Sequence, residues 1–315
     1  MTLSNLVKLR LALVNTLQSD VNAIAPMILL RDKFTAFLTE LPELSSKDKT
    51  YITGLVDHYN RIIDLIEKPI KELPSRLWIL DNKISELSQQ IFSNNYDIEN
   101  YYGTIDEHRN LRKLVYSNTI KNLIQSKIFL YTDWKYPALE IGCCDGDWTQ
   151  FMIAADPLYI TDRYPEFLEI TSSKFNSAYQ NRLRKYELKN HNLSIFPYNQ
   201  FSFIFSWDYF TFISMDTMKV YLKQIFQLLR PGGVFMCNYN DGDTVNGAAN
   251  AEMFYQTYMP KSILISMIES MGFETIATID GDKDINVSWI EIKKPGILHT
   301  IKSHQVLGKI LPQDN

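Results

Sequence analysis

The chain has 315 residues and a mass of 36.7 kDa, with 45% hydrophobic and 22% charged residues, the balance of a soluble globular protein. Its 5 Trp, 18 Tyr and 17 Phe supply a large core and exclude disorder over most of the length. A formal net charge of -4 and a pI near 5.8 exclude a strongly basic surface that would hold nucleic acid by charge alone.

The first third reads as helical. Leu6, Leu9, Leu13 and Leu17 form a stripe expected to end near Ser19–Asp20. No apolar segment with a cleavage site follows, and the run from Val21 to Leu30, which contains Asn22 and Pro26, is too short for a bilayer needing about 20 residues. Ile52, Val56, Tyr59, Ile63, Ile66, Ile70, Leu73, Leu77, Leu80, Ile84, Leu87 and Ile91 then alternate at spacings of four and three, a heptad seam. Pro69 and Pro74 lie within it and predict a kink, or a break into two helices, near Leu73. Such a seam serves either a coiled-coil arm that oligomerises or docks a partner through helices 52–91, or an internal hairpin against residues 1–40. A further helix is expected over 104–128, with Asp106 and Glu107 in its first turn and Lys121 and Lys127 late.

Near residue 136 the pattern changes to short apolar runs alternating with amphipathic stretches, the signature of an α/β domain. In Pro137-Ala-Leu-Glu-Ile-Gly-Cys-Cys-Asp-Gly-Asp-Trp-Thr149, residues Ala138 to Ile141 read as a buried strand. Gly142 and Gly146 bracket a turn, and Asp147 is the expected N-cap of a helix. Backbone amides at such a turn can approach a ligand, and Glu140 adds an acid at the strand's carboxyl end. The run Leu158 to Thr161 ends in Asp162, 20 residues beyond Gly142, a spacing that suits a carboxylate on ribose hydroxyls. Arg184 to Lys189 and Phe201 to Phe205 read as strands, followed by the turns Asn190-His-Asn-Leu193 and Ser206-Trp-Asp-Tyr209. A helix over Met215–Leu229, with Val220, Ile225, Leu228 and Leu229 apolar, stops at Arg230-Pro-Gly-Gly233 before a strand over Val234–Asn238. Lys261 to Met271 form a helix, and Glu274–Ile279 with Val287–Ile292 an antiparallel pair.

In this order the features resemble the class I S-adenosylmethionine-dependent methyltransferases, over about residues 105–293. Leu139-Glu-Ile-Gly-Cys-Cys-Asp-Gly146 is similar to the family's acidic-x-Gly-x-Gly-x-Gly loop, and Asp162 to its second-strand acid. Phe201 to Trp207 resembles the fourth-strand segment, and Leu228-Leu-Arg-Pro-Gly-Gly-Val234 the turn into the fifth strand. Cys144 stands where the family usually has its middle glycine, and Ser202 where many members have aspartate. The resemblance implies an α/β, Rossmann-like, mostly parallel sheet with an antiparallel edge pair, preceded by an α-helical, coiled-coil-compatible domain. The expected divisions are a helical domain over 1–103, the methyltransferase domain over 104–294 and a tail over 295–315.

It further implies S-adenosyl-L-methionine as cofactor, held by Glu140, Gly142, Cys144, Gly146, Asp162, Asn192, Leu193, Ser206 and Trp207. Glu140 would face the cationic end, Asp162 the ribose, Asn192 and Leu193 the adenine, and Ser206 and Trp207 the pocket's edge. Methyl transfer from a sulfonium is an in-line displacement, so alignment and exclusion of water are the protein's main tasks. Asp208, Tyr209 and Asp241 are candidates for a base where the acceptor arrives protonated. The stretch Asn238 to Ala251, with Phe254, Tyr255 and Tyr258 beyond it, has the composition of a mobile lid.

The acceptor is expected to be a small molecule or a protein side chain. The Asn-Pro-Pro-Tyr tetrapeptide of amino-methylating DNA enzymes is absent, and with the acidic balance this argues against nucleic acid. Cys143, Cys144 and Cys237 outline neither a disulfide framework nor a metal set, so the expected setting is the reducing cytoplasm, with no metal and no membrane partner. A different reading takes the fold as a catalytically silent module of a larger assembly, oligomerising through its N-terminal helices. The abundance of Asn, Ile, Lys, Phe and Tyr fits an AT-rich genome such as a phage's, which would place the chain in a host cytoplasm or a virion.

Overall fold

The computed structural model describes residues 2–41, 43–99, 116–253, 255–281 and 288–296. The chain divides into two compact units, residues 1–90 and 91–315. The sequence-expected boundary at 103/104 and nearly all of the expected tail lie outside the described residues.

In the first unit, α1 (Leu3–Glu40) starts at Thr2, whose hydroxyl accepts the Asn5 amide at 3.3 Å. It does not stop at Ser19–Asp20, because polar side chains that reach solvent cost little in a helix whose amide bonds continue. α2 (Ser46–Glu99) is opened by Ser45, which accepts the Asp48 amide at 3.2 Å and donates to the Asp48 carboxylate at 2.6 Å. The expected break near Leu73 does not occur. Pro69 and Pro74 each remove an amide donor, yet buried Ile63, Leu73 and Leu80 hold the helix on both sides of them. Arg10 pairs with Asp81 at 2.6 Å and Phe34 stacks on Tyr59 at 6.0 Å, so the two helices run antiparallel. None of the seam residues is exposed, which makes the internal hairpin the arrangement within one chain.

In the second unit, α3 (Asn118–Tyr131) begins at its N-cap Ser117, and Tyr116 and Ser117 are not helical. Of the expected helix over 104–128, residues 118–128 are helical and 116–117 are not; residues 104–115 lie outside the described part. Seven strands follow: β1 (Ala138–Ile141), β2 (Leu158–Asp162), β3 (Leu183–Glu187), β4 (Phe201–Ser206), β5 (Leu229–Tyr239), β6 (Glu274–Ile279) and β7 (Ser288–Lys293). Among them lie α4 (Pro165–Ser173), α5 (Ser177–Gln180), α6 (Met215–Leu228), α7 (Val245–Glu252) and α8 (Lys261–Ser270).

The strands form one sheet in the order β3-β2-β1-β4-β5-β7-β6, parallel except where β7 runs antiparallel to both neighbours. Strand order reverses between β1 and β4, and ligands of open α/β sheets bind outside the carboxyl ends of the strands at such a point. Alternation along the strands builds two cores. Leu139, Ile141, Ile204 and Phe235 pack on one face with Tyr221, Leu222 and Ile225 of α6. Ala138, Phe203, Phe205 and Met236 pack on the other with Ile120, Ile124 and Ile128 of α3.

Glu291 of β7 is fully buried on that second face, where Lys127 and Tyr131 of α3 donate to it at 3.0 and 2.5 Å and the Trp289 indole at 3.3 Å. β5 starts earlier than expected, since Arg230-Pro-Gly-Gly233 forms an irregularity inside the strand rather than a turn before it. Val220 is 49% exposed, while the neighbouring Tyr221 and Leu222 carry the apolar side of α6. The Asn238–Ala251 stretch is packed rather than lid-like: Asn240 donates to the Gly247 and Thr257 carbonyls at 2.9 Å, and Tyr258 is buried. Phe254 lies outside the described residues.

Candidate active site

At the carboxyl edge of β1 and β4 the second unit has a cleft of about 410 Å³. The glycine turn supplies Gly142, Cys143, Cys144, Asp145 and Asp147, and the β4 end supplies Trp207 and Asp208. Trp148, Gln150 and Phe151 close one side, and Tyr116, Lys121 and Gln125 reach it from α3 and the residues just before it.

The glycine turn is held tightly. Gly142 and Gly146 both have φ of +77°, which glycine adopts without steric cost. Cys144 has φ of 47°, a left-handed conformation costly for a side chain with a Cβ. That conformation aims its amide at Asp162 Oδ2, 3.1 Å away, while Asp162 Oδ1 accepts the Tyr164 amide at 3.2 Å. Thr171 of α4 donates to the Cys144 carbonyl at 2.8 Å. Asp147 caps no α-helix. The chain makes only a single 3₁₀ turn, Thr149–Phe151, and Asp147 pairs at the surface with Lys174 at 2.9 Å. The turn therefore leads into no long helix whose dipole would aid an anion.

Glu140 and Asp162, the two acids expected to grip the cofactor, do not face the cleft. Glu140 is 2% exposed and accepts a short hydrogen bond from the Thr149 hydroxyl. Burial raises its pKa from 4.5 to about 8, with Asp162 and Asp147 adding to the rise and the Thr149 bond opposing it. A carboxyl that is largely neutral near pH 7 makes a weak counter-charge for an ammonium or sulfonium. Asp162 is 0% exposed, and both its oxygens already accept backbone amides.

The remaining expected residues separate into two groups. Asn192 is exposed and bonds within its own turn, accepting the Ser194 amide at 2.9 Å. Leu193 is fully buried, and its amide bonds to Gln224 of α6 at 2.6 Å. Ser206 is buried, its hydroxyl donating to the Ile141 carbonyl at 2.7 Å. Tyr209 is also buried; its ring lies against Gly142, with Arg163 6.0 Å from its centroid. Its hydroxyl meets that of Tyr221 at 2.8 Å, and Tyr221 in turn meets His191 Nδ1 at 3.2 Å. None of Asn192, Leu193, Ser206 and Tyr209 lines the cleft. Asp241 accepts the Asp243 and Lys261 amides away from the cleft, with a pKa raised by burial to about 6.

Trp207 and Asp208 do line the cleft. Asp208 has φ of +54° and is fixed from both ends. Its amide donates to Asn238 Oδ1 at 2.7 Å, the Asn238 amide returns a bond to Asp208 Oδ1 at 2.7 Å, and Tyr116 donates to the same oxygen. Burial beside that carboxylate raises the Tyr116 pKa well above its ordinary value. Burial also pushes the Cys143 and Cys237 thiols up, so neither is a ready nucleophile.

Sequence reasoning missed Tyr116, Asn238, Thr149, Thr171, Lys121 and Trp148. Of these only Asn238 carried a local signal, a polar residue at the carboxyl end of an otherwise apolar strand. Among the described residues no group of His, Cys, Asp and Glu could hold a metal ion. No described helix is long and apolar enough to cross a membrane.

Residues 139–235 match the family model described as a methyltransferase domain. No curated protein matches the chain significantly. Similar solved structures include an S-adenosylmethionine-dependent methyltransferase from Clostridium acetobutylicum: 15% identity, 58% of this chain, 94% of that one, TM-score 0.47. The N-methyltransferase NodS from Bradyrhizobium japonicum matches at 12% identity over 57% of this chain and 98% of its own, TM-score 0.44. The [4+2]-cyclase SpnF matches at 12% identity over 58% and 84%, TM-score 0.47. The family match bears out the resemblance of this segment to the class I methyltransferases.

Proposed function

We propose that this chain transfers a methyl group from S-adenosyl-L-methionine to a small molecule or a protein side chain. One observation carries the reading: the glycine turn of the matched domain and the β4 end open onto the same cleft, at the carboxyl edge where strand order reverses. The cleft suits the cofactor's amino-acid end. Asp145, Asp147 and Asp208 would face its ammonium and sulfonium, Lys121 its carboxylate, and the Trp148 and Trp207 rings would shield the sulfonium from water. When bound, the cofactor supplies a methyl group on an activated leaving group.

The nucleoside end does not fit the arrangement as it stands. Asp162 is covered by the Cys144 amide, and Tyr209 occupies the space beside Gly142. Binding therefore requires the Cys144 turn or the Tyr209 ring to shift. For the acceptor, the chain's task is to align it, exclude water and, where it arrives protonated, take the proton on Asp208, oriented by Tyr116 and Asn238.

Calorimetry with S-adenosylmethionine and S-adenosylhomocysteine tests the reading. Micromolar binding is expected, weakened by Lys121→Ala at the amino-acid end and by Asp162→Ala at the ribose. The absence of heat with either adenosyl ligand in the folded wild-type protein would overturn it.

A further inference from the structure

The second unit has another, smaller pocket of about 30 Å³ at the end of β5, lined by Thr211, Tyr239, Asp241, Asn246, Asn250 and Gln256 among others. It shares no lining residue with the cleft, and apart from the Tyr239 ring its side chains are all polar. Two of its hydroxyls stand out. Tyr239 is 1% exposed and Thr211 2%, and neither hydroxyl has a hydrogen-bond partner among the described residues. The amide groups around them are engaged, since Asn240 donates to the Gly247 and Thr257 carbonyls and Asn250 to Gln256. Buried hydroxyls are nearly always paired, so two left over at one pocket point to a bound group.

Asp241 gives that group its charge. It is buried, and both amides it accepts, from Asp243 and Lys261, fall on Oδ1 at 3.0 Å, which leaves Oδ2 for a ligand. Asp243 and Asp280 add like charge nearby, with Lys261 answering Asp280 at 2.5 Å. An anion would be repelled here, and a neutral ligand would leave the carboxylate without a counter-charge. One carboxylate among neutral oxygens is too little charge for a divalent ion, which gathers several. A pocket of this volume admits a species of about water's size. We infer that it binds a monovalent cation, potassium or ammonium, through the Tyr239 and Thr211 hydroxyls and the Asp241 carboxylate. The ion would join β5 to the turn after β4 and to α7, one residue beyond the Asn238 that holds Asp208 in the cleft. Its binding does not depend on the proposed methyl transfer.

Urea unfolding of the full chain at constant pH and ionic strength tests this, with potassium or ammonium chloride exchanged for tetramethylammonium chloride. An ion that binds only the folded chain multiplies the folding equilibrium constant by 1 + [ion]/Kd, about elevenfold at ten times Kd. Saturable stabilisation by potassium or ammonium is expected, and the more effective of the two assigns the pocket to a metal ion or to an N–H donor. Tyr239→Phe keeps the ring and Asp241→Asn keeps the Oδ1 acceptor, so both should fold and lose most of the ion dependence. Thr211→Val replaces either variant that does not fold. Equal stability of the wild type in all three salts would overturn the inference, since water would then suffice for the hydroxyls. An ion effect of undiminished size in the variants would overturn it too, by placing the cation elsewhere.

Discussion

The ring of Tyr209 lies so close to Gly142 that a Cβ on the glycine would sit 2.6 Å from the tyrosine Cδ2. The contact joins the segment that follows β4 to the end of β1. Gly142→Ala should therefore destabilise by about 2 kcal/mol or more, from the positive φ and the steric overlap together. Urea unfolding checks this. Adding Tyr209→Ala should recover the overlap part and leave the backbone part, so fully additive losses in the double variant would refute the contact.

Cys144 holds a left-handed conformation, with φ of 47°. Cys144→Gly is expected to leave the hydrogen bond to Asp162 intact and stabilise the protein by about 1 kcal/mol. A lower urea midpoint in the variant would count against that strain.

Glu140 makes stability depend on pH. Folding raises its pKa from near 4.5 to about 8, so the native state holds the proton more tightly than the unfolded chain. Its contribution falls as pH rises between those two values and levels off above about 8, with a slope of at most about 1.4 kcal/mol per unit. Glu140→Gln should remove that slope while keeping an acceptor for Thr149. Denaturation curves between pH 5 and pH 8 decide, and parallel wild-type and variant profiles would reject the buried neutral acid.

Glu291 ties β7 to α3, the helix that brings Lys121 and Gln125 to the cleft. Glu291→Ala strands the Tyr131 hydroxyl, the Trp289 indole and the Lys127 ammonium, and should cost about 3 kcal/mol. Lys127 is partly exposed and can turn to water, so Lys127→Met should cost far less. Comparable losses in the two variants, measured by thermal or urea unfolding, would place the weight of the clamp on the lysine instead.

Much of the architecture was legible from local patterns. The four-three spacing from Ile52 to Ile91 specifies a helical stripe because only residues on one face recur at that interval. The apolar runs at Ala138, Leu158 and Phe201 announce strands, and Gly142 and Gly146 announce a turn, because short-range sterics suffice to set them. Likewise the apolar run from Leu158 to Thr161 placed Asp162 at the end of β2.

What local pattern could not determine was direction and company. The heptad seam did not say which helix it would meet; only the hairpin, with Arg10 reaching Asp81, turned it inward. Two prolines did not break α2, because packing on both sides outweighed two missing amide bonds. Glu140 and Asp162 lie at neighbouring strand ends as expected, yet their carboxylates turn toward Thr149 and the Cys144 amide rather than the cleft. Tyr116, Lys121 and Trp148 meet Trp207 and Asp208 only because the sheet brings separate stretches of chain together at one edge. Composition and periodicity are properties of neighbours along the chain, whereas a site is made by neighbours across it, and only the folded sheet supplies those.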